Sequence, residues 1–123
     1  MAIMLPFSTR IESGILIAAF DDPAGLSGLR DLPSREEIYG MIPKHDQPLV
    51  VLNLEKADYL SSFGIATLIG LKRRIEERGG KLVLCSVHPV VKELLTMMNL
   101  LQLFAVADDE VFAVSSLRPL PTA

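Results

Sequence analysis

The sequence has little cysteine and no long apolar run. A single cysteine, Cys85, cannot form an internal disulfide, so the cysteine content does not indicate an oxidising compartment. The longest apolar runs are well below the roughly 18 residues that a membrane-spanning helix needs. The first residues, MAIMLPFSTR, have no basic segment followed by an apolar stretch, which excludes a signal peptide. We therefore expect a soluble, cytoplasmic protein that does not span a membrane.

A surplus of positive charge is also missing. The formal net charge is -3 and the isoelectric point is near 5.3, whereas a nucleic-acid-binding surface needs a basic face. Nucleic acid is therefore not an expected partner. No internal repeat or long linker divides the 123 residues, of which 50% are hydrophobic and 22% charged. This composition is typical of one globular domain over residues 1–123, with a frayed tail at 118–123.

Apolar runs and their spacing predict an alternation of strands and helices. A run such as LVVLNL is apolar almost throughout, as in a strand covered on both faces, whereas apolar residues three and four apart predict amphipathic helices. The predicted strands are 1–13, 15–20, 49–54, 81–87 and 105–107, and the predicted helices are 34–42, 64–78, 88–99 and 108–117. Parallel strands joined by helical crossovers define an α/β class. We predict a small mixed, mostly parallel sheet of four to five strands with about four helices.

The stretch YLSSFGIATLIGLKRRIEERGG, residues 59–80, joins a predicted strand to a predicted helix. Two serines, Ser61 and Ser62, stand at this joint, where a side-chain oxygen can accept a hydrogen bond from a helix amide and stabilise the helix by about 1 kcal/mol. We expect at least one of them to have this N-cap role, with Gly64 allowing a tight turn. The other serine is then available as a site, because ligands of parallel sheets bind beyond the carboxyl ends of the strands.

Residue combinations that would indicate catalysis are weak throughout the sequence. Ser62, His88 and Asp58 lack the nucleophile-elbow pattern that surrounds a catalytic serine. Cys85 and His88 lack the further ligands of a zinc site, and Cys85 lies in an apolar run typical of a buried, unreactive thiol. No glycine-rich phosphate loop is present. We therefore expect a protein that is not an enzyme and that holds neither a metal nor a cofactor.

Apolar residues near the C-terminus exceed what one buried helix face needs. Val91, Leu94, Leu95 and Met98 form the predicted buried face, and Asn99 is expected to end the helix because asparagine tolerates a left-handed backbone. The further apolar residues here are Met97, Leu100, Leu101, Leu103 and Phe104. Core packing explains them most simply, and a partly exposed apolar edge for a partner is the alternative.

The order of these segments resembles a known family. VVLNLEKADYLSSFGIATLIGLKRRIEERGGKLVLCSV, followed by VVKELLTMMNLLQLF, is similar to the STAS family, the sulfate transporter and anti-sigma factor antagonist domain. The similarity covers residues 48–117 well and the first half of the chain loosely. The family pattern is an apolar strand, a loop that ends in an acidic residue, a serine or threonine, a small residue and a glycine. An amphipathic helix and a Gly-Gly pair follow.

The resemblance implies roles for residues around the two serines. Ser62 falls where the family has a hydroxyl that is phosphorylated, Ser61 falls where it usually has aspartate, and a bulky Phe63 replaces a small residue. Ser61 is the second candidate for phosphorylation. Asn53 occupies a strand position where the family commonly has aspartate. The partner-binding edge that the resemblance implies consists of Asp31, Asp58, Ser61, Ser62, Phe63 and Gly64.

For function, the resemblance implies a non-catalytic regulatory interaction module, an anti-sigma factor antagonist. Its partner would be an anti-sigma factor that is itself an ATP-dependent serine kinase, and phosphorylation at Ser62 would switch the binding. The chain would need no cofactor, since the kinase supplies ATP and Mg²⁺, and a homodimer is left open. Because no acid precedes Ser62, the alternative is a constitutive scaffold subunit of a signalling or lipid-transport complex, without phosphorylation.

Overall fold

A computed structural model describes residues 7–20, 35–57, 60 and 62–118 of the chain. Within these residues the protein forms five strands, four α-helices and one short 3-10 turn. In chain order they are β1 (Phe7–Glu12), β2 (Ile15–Phe20), α1 (Arg35–Tyr39), β3 (Leu49–Asn53), α2 (Ser62–Glu77), β4 (Lys81–Cys85), α3 (Pro89–Met97), the 3-10 turn (Leu101–Leu103), β5 (Ala105–Ala107) and α4 (Glu110–Leu117).

The five strands form one sheet in the order β1-β2-β3-β4-β5. β1 and β2 are an antiparallel hairpin, and the two residues between them, Ser13 and Gly14, have φ angles of 53° and 77°. From β2 to β5, neighbouring strands are parallel. Asn53, the last residue of β3, lies between Ala19 of β2 and Cys85 of β4. This arrangement confirms the predicted α/β class with a mixed, mostly parallel sheet.

Both faces of the central strands, β2 to β4, are buried under helices. Alternate strand residues point to opposite faces. Leu16 and Val50 belong to the larger core cluster, which includes residues of α1, α2 and α3. Ile17 and Val51 belong to a smaller cluster on the other face, which α4 covers. Helices on both faces explain why the sequences of β2, β3 and β4 are apolar almost throughout.

Helix α2 ends at a glycine pair, as predicted. Gly79 has a left-handed backbone with φ of 77°, and its N–H donates to the carbonyl of Glu76 at 2.9 Å. The N–H of Gly80 donates to the carbonyl of Ile75, also at 2.9 Å. The two bonds form a Schellman motif. A Cβ at Gly80 would collide with the carbonyl oxygen of Pro48, so the second glycine permits close packing against the segment before β3.

Helix α3 begins and ends with the residues that the sequence indicated. Nδ1 of His88 accepts a hydrogen bond from the N–H of Val90 at 3.2 Å, which makes this histidine the N-cap. Beyond the last turn Asn99 adopts φ of 58°, and the N–H of Leu100 donates to the carbonyl of Leu95 at 2.8 Å. Asparagine thus has the role here that Gly79 has in α2.

Some predicted details differ from the structure. Helix α2 begins at Ser62, two residues earlier than predicted. Met98, predicted to be buried, is 48% exposed, because it is the C-cap of α3 and lies beyond the core cluster, which reaches Leu95 in this helix. Met97 and Leu103 are also exposed, so part of this apolar segment lies at the surface. The predicted tail beyond residue 118 lies outside the described residues.

Candidate functional site

Ser62 is the first residue of α2, and it is exposed. The helix begins at Ser62 itself, whereas Ser61, the other N-cap candidate, lies outside the described residues. Ser62 therefore stands in the first turn, where the backbone amides give the helix end a partial positive charge. The structure presents this candidate serine to solvent beside a helix start.

The rest of α2 is anchored by a continuous buried face. Ile65 is 9% exposed, and Leu68, Leu71 and Ile75 are fully buried. Gly64, in the same turn as the serine, is also buried. The exposed start of α2 is therefore attached to a closely packed helix, so its position relative to the sheet is well defined.

The turn that leaves β3 toward α2 is held by hydrogen bonds. The N–H of Leu54 donates to the carbonyl of Cys85 at 3.0 Å, and the N–H of Ala57 donates to the carbonyl of Leu54 at 3.0 Å. The side-chain Oδ1 of Asn53 accepts from the N–H of Glu55 at 2.8 Å. Leu54 and Ala57 are fully buried. These hydrogen bonds fix the chain beyond β3 as far as Ala57.

A set of polar side chains links β1, β3 and α4. Glu110 accepts at Oε2 from Nδ2 of Asn53 and at Oε1 from the guanidinium of Arg10, each at 2.6 Å. These hydrogen bonds, chiefly that from Arg10, hold the pKa of Glu110 below its usual value. The pKa of Arg10 is raised by the same contact. We call Arg10, Asn53 and Glu110 the polar bridge.

The polar bridge was not predicted from the sequence. Only Asn53 had been singled out, and for a different reason. Glu110 is 57 positions from Asn53 and 100 positions from Arg10. The order of the strands and the packing of α4 on the second face bring the three together. The available signals were an arginine in an edge strand and a glutamate in the first turn of a helix, and neither identifies its partner.

Cys85, at the end of β4, is fully buried. Burial, with a smaller contribution from the carboxylate of Glu110, raises the pKa of its thiol to about 11. At neutral pH the thiol is therefore protonated, whereas the thiolate is the form that reacts and binds metals. The prediction that this cysteine is buried is confirmed.

His88 caps α3, and the Asp58 of the disfavoured triad lies outside the described residues. Across the described ranges, no group of three or more His, Cys, Asp or Glu side chains is placed to hold a metal ion. In the same part of the chain, every helix is too short or too polar to cross a membrane.

The implied partner-binding edge is only partly described. Ser62 and Gly64 are brought together by the first turn of α2, the first exposed and the second buried. Phe63 lies between them in the helix, and its side chain is outside the described part of the chain. The remaining members also lie outside the described residues, namely Asp31, Asp58 and Ser61. Their grouping around Ser62 stays a prediction.

Comparisons with known proteins agree with the sheet order and helix placement. The family model described as the STAS domain matches residues 33–113. An anti-sigma F factor antagonist of Paenibacillus polymyxa is 32% identical over 69 residues, which cover 56% of this chain and 59% of that protein. The Bordetella bronchiseptica protein BtrV is 28% identical over 105 residues, which cover 85% of this chain and 88% of that protein.

A solved structure has the same fold. An anti-sigma-factor antagonist (STAS) domain protein from Planctomyces limnophilus superposes with a TM-score of 0.78, covering 90% of this chain and 97% of that chain at 19% sequence identity. The five-stranded mixed sheet with helices on both faces therefore defines a small α/β domain of this class. Since the family model matches well over half of the residues, the chain belongs to the STAS domain family.

Proposed function

We propose that this chain is an anti-sigma factor antagonist that binds an anti-sigma factor and is switched by phosphorylation at Ser62. The anti-sigma factor would itself be an ATP-dependent serine kinase. Binding of the unphosphorylated chain would release the sigma factor, and phosphorylation would end that binding. Family membership and a relative named as an anti-sigma factor antagonist support this class of partner. Such an antagonist acts in the cytoplasm and needs no cofactor of its own.

The observation that carries the proposal is the exposure of Ser62 at the start of α2. A kinase must reach the hydroxyl oxygen, so an accessible serine is a requirement. A phosphate adds a charge of about -1.5 to -2 at neutral pH. At the start of a helix, the positive end of the dipole lowers the electrostatic cost of that charge. The domain can therefore accept the phosphate without refolding.

A partner that docks over Ser62 would respond strongly to the phosphate. Closing an interface removes water from the charged group, and a phosphate without a cationic partner is then costly to bury. Two acids of the proposed docking edge, Asp31 and Asp58, would hinder its neutralisation further. The other members of this edge are Ser61, Phe63 and Gly64. Phosphorylation would thus weaken docking while the fold stays unchanged.

A second function is favoured by two departures from the family pattern. Ser61 stands where antagonists regulated by a kinase usually have aspartate, and Phe63 replaces a small residue. If no kinase recognises Ser62 in this setting, the chain would be a constitutive scaffold subunit of a signalling or lipid-transport complex. In that case Ser62 would be accessible and unmodified.

The proposal is tested by incubating the purified chain with ATP, Mg²⁺ and candidate serine kinases encoded near its gene. Intact-mass spectrometry should show one phosphate-sized increase, which Ser62→Ala abolishes. Ser115→Ala is a matched control, because Ser115 is an exposed helical serine on α4 and its removal should leave the modification unchanged. Stable binding to the anti-sigma factor with no mass increase under any condition would favour the scaffold instead.

A further inference from the structure

The outer edge of β1 is open in the part of the chain that the structure describes. β1 is the first strand of the sheet, and among the described strands only β2 pairs with it. Residues 8–14 are all exposed, and Ile11 is 73% exposed. The free side of an edge strand presents N–H and C=O groups with which another strand can pair. This edge is therefore a candidate interaction surface.

The turn between β1 and β2 decides which backbone groups face the open edge. Both residues of the turn have positive φ, as in a type I′ turn, and the pair that flanks it is Glu12 and Ile15. The flanking pair of such a turn is hydrogen-bonded, and bonded pairs alternate with non-bonded pairs along an antiparallel ladder. The backbone of Arg10, like that of Glu12, therefore bonds to β2, whereas the N–H and C=O of Ile11 point toward the open edge.

The side chains of β1 lie on two faces of the sheet. Arg10 and Glu12 lie on the face of α4, where Arg10 contacts Glu110 and is 3.6 Å from Glu12. Both side chains are half-exposed, so both are accessible to a further strand. Ile11 lies on the other face, next to Leu16 of β2. The edge thus carries a cation, an apolar residue and an anion at three consecutive positions.

A second copy of β1 is complementary to this edge in one antiparallel register. When Ile11 lies opposite its own copy across a twofold axis, Arg10 of each strand lies opposite Glu12 of the other. Opposite charges directly across a strand pair stabilise the pair, and like charges destabilise it. Registers centred on Arg10 or on Glu12 place like charges together, and a register centred on Thr9 leaves Arg10 opposite Ser8. The register centred on Ile11 satisfies both charges.

We propose that β1 is the interface of a homodimer, in which two copies of the strand pair antiparallel about Ile11. The two five-stranded sheets become one continuous sheet. The outward-facing N–H and C=O of Ile11 bond to those of its copy. The contact between Arg10 and Glu12 forms twice on the α4 face, and the two exposed Ile11 side chains meet on the other face.

The dimer leaves Ser62 accessible. Ile11 is aligned across β2 with Val50, near the start of β3, and α2 ends on the same side of the sheet, where Gly80 packs against Pro48. Ser62 is at the opposite end of this helix of 16 residues, about 24 Å along its axis. The dimer therefore carries two separate copies of the proposed phosphorylation site.

The test uses two variant chains that repel themselves and complement each other. Glu12→Arg places an arginine opposite Arg10 of the second copy. Arg10→Glu, made together with Glu110→Gln, places a glutamate opposite Glu12 of the second copy. Within that chain the amide introduced at position 110 donates to the new carboxylate and still accepts from Asn53. In a mixture of the two chains, an arginine lies opposite a glutamate at both positions.

Sedimentation equilibrium and native mass spectrometry measure the assembly. We expect the wild type to dimerise with a dissociation constant of about 0.1 mM, because an interface of a few residues on each side is small. Each charge variant alone should weaken dimerisation at least about tenfold, and the mixture should form a heterodimer of wild-type affinity. Glu93→Arg, at an exposed position on α3, makes the same change of charge as Glu12→Arg and should leave the dimer unchanged.

Amide exchange and a third variant test the centre of the interface. The amide of Ile11 should exchange more slowly as the protein concentration rises, whereas the amide of Arg10, which bonds to β2, should not change. Ile11→Lys should prevent dimerisation, because two cations would then lie opposite each other. Since the Ile11 side chain is exposed, this variant should keep the melting temperature of the wild type.

A wild-type chain that stays monomeric up to about 1 mM would overturn the proposal. A dimer that tolerates Ile11→Lys, or charge variants that do not pair when mixed, would also overturn it, because another surface or register would then join the copies. Protection of the Ile11 amide only after addition of the anti-sigma factor would show that a foreign strand covers the edge instead. None of these results depends on phosphorylation of Ser62, so the dimer and the proposed function are tested separately.

Discussion

Ser62 combines two properties that a regulatory serine needs, accessibility and a fixed backbone. It is exposed, while Gly64 and Ile65 in the same turn are buried. The proposed docking partner would therefore meet Ser62 at a defined place on the surface. Because the packed side of the turn faces the core, a modification of Ser62 changes the charge of the surface and leaves the core contacts in place.

The polar bridge predicts a pH dependence of stability at the scale of one residue. The pKa of Glu110 is lower in the folded protein than in the unfolded chain, mainly because Arg10 donates to it. Its contribution is therefore complete above the unfolded glutamate pKa of about 4.3 and is lost as the pH falls through the folded value. We expect Glu110→Gln to lower the free energy of unfolding by about 1 kcal/mol at pH 7, and the difference from wild type to shrink on acidification.

Urea unfolding of the wild type and of Glu110→Gln between neutral and acidic pH measures the difference in their free energies of unfolding. Comparison with Glu93→Gln controls for the general effect of removing one negative charge, because Glu93 is exposed on α3. A difference in the free energy of unfolding that stays constant down to the lowest pH would show that the polar bridge does not stabilise the ionised form of Glu110.

The helix ends are examples of local sequence signals that decide where an element stops. Gly79 and Asn99 both have positive φ angles, of 77° and 58°, and each is followed by a backbone N–H bonded to the carbonyl five residues earlier. Glycine adopts this conformation without strain, and asparagine does so more readily than other residues with a Cβ. The sequence was therefore sufficient to predict both ends.

The C-terminal end of α3 gives a prediction at the scale of an element. Asn99 is exposed, so replacing its side chain removes little packing, and its backbone conformation dominates the effect. We expect Asn99→Ala to lower the free energy of unfolding by about 1 kcal/mol. Asn99→Gly should be neutral or slightly stabilising, because glycine accepts positive φ. Thermal and urea unfolding of Asn99→Ala and Asn99→Gly check these expectations. An equal decrease in the free energy of unfolding of the two variants would contradict this role of the backbone.

Elements governed by periodicity were predictable, and those governed by distant contacts were not. The β-branched apolar run at 49–53 and the helical spacing after Ser62 depend on neighbours in sequence, and both elements were found. Met98 was misplaced because the helical spacing shows on which side of α3 it lies but not how far the core extends along the helix. The start of α2 was misplaced by two residues, since both serines there satisfy the same N-cap preference.

At the scale of the whole molecule, the sheet separates two helical layers. Helices α1, α2 and α3 share one core cluster, and α4 covers the other. The resemblance in sequence was enough to predict this architecture and the position of Ser62. It was not enough to predict that Arg10 and Glu110 meet Asn53, because strand order and helix placement decide contacts over such separations. Glu110 of α4 contacts the end of β3 through Asn53 and the edge strand β1 through Arg10.

The proposed function predicts a change of affinity without a change of fold. Phosphate at Ser62 lies outside both core clusters, so the melting temperature should remain close to that of the unmodified chain. Docking should weaken, because the interface would have to bury the new charge. A phosphorylated chain that unfolds or aggregates would show instead that Ser62 supports the core.

The most direct measurement is isothermal titration calorimetry of the anti-sigma factor with the unmodified and the Ser62-phosphorylated chain. The account predicts that the unmodified chain binds and that phosphorylation raises the dissociation constant at least about tenfold, which corresponds to about 1.4 kcal/mol. Equal dissociation constants for the two forms would contradict it.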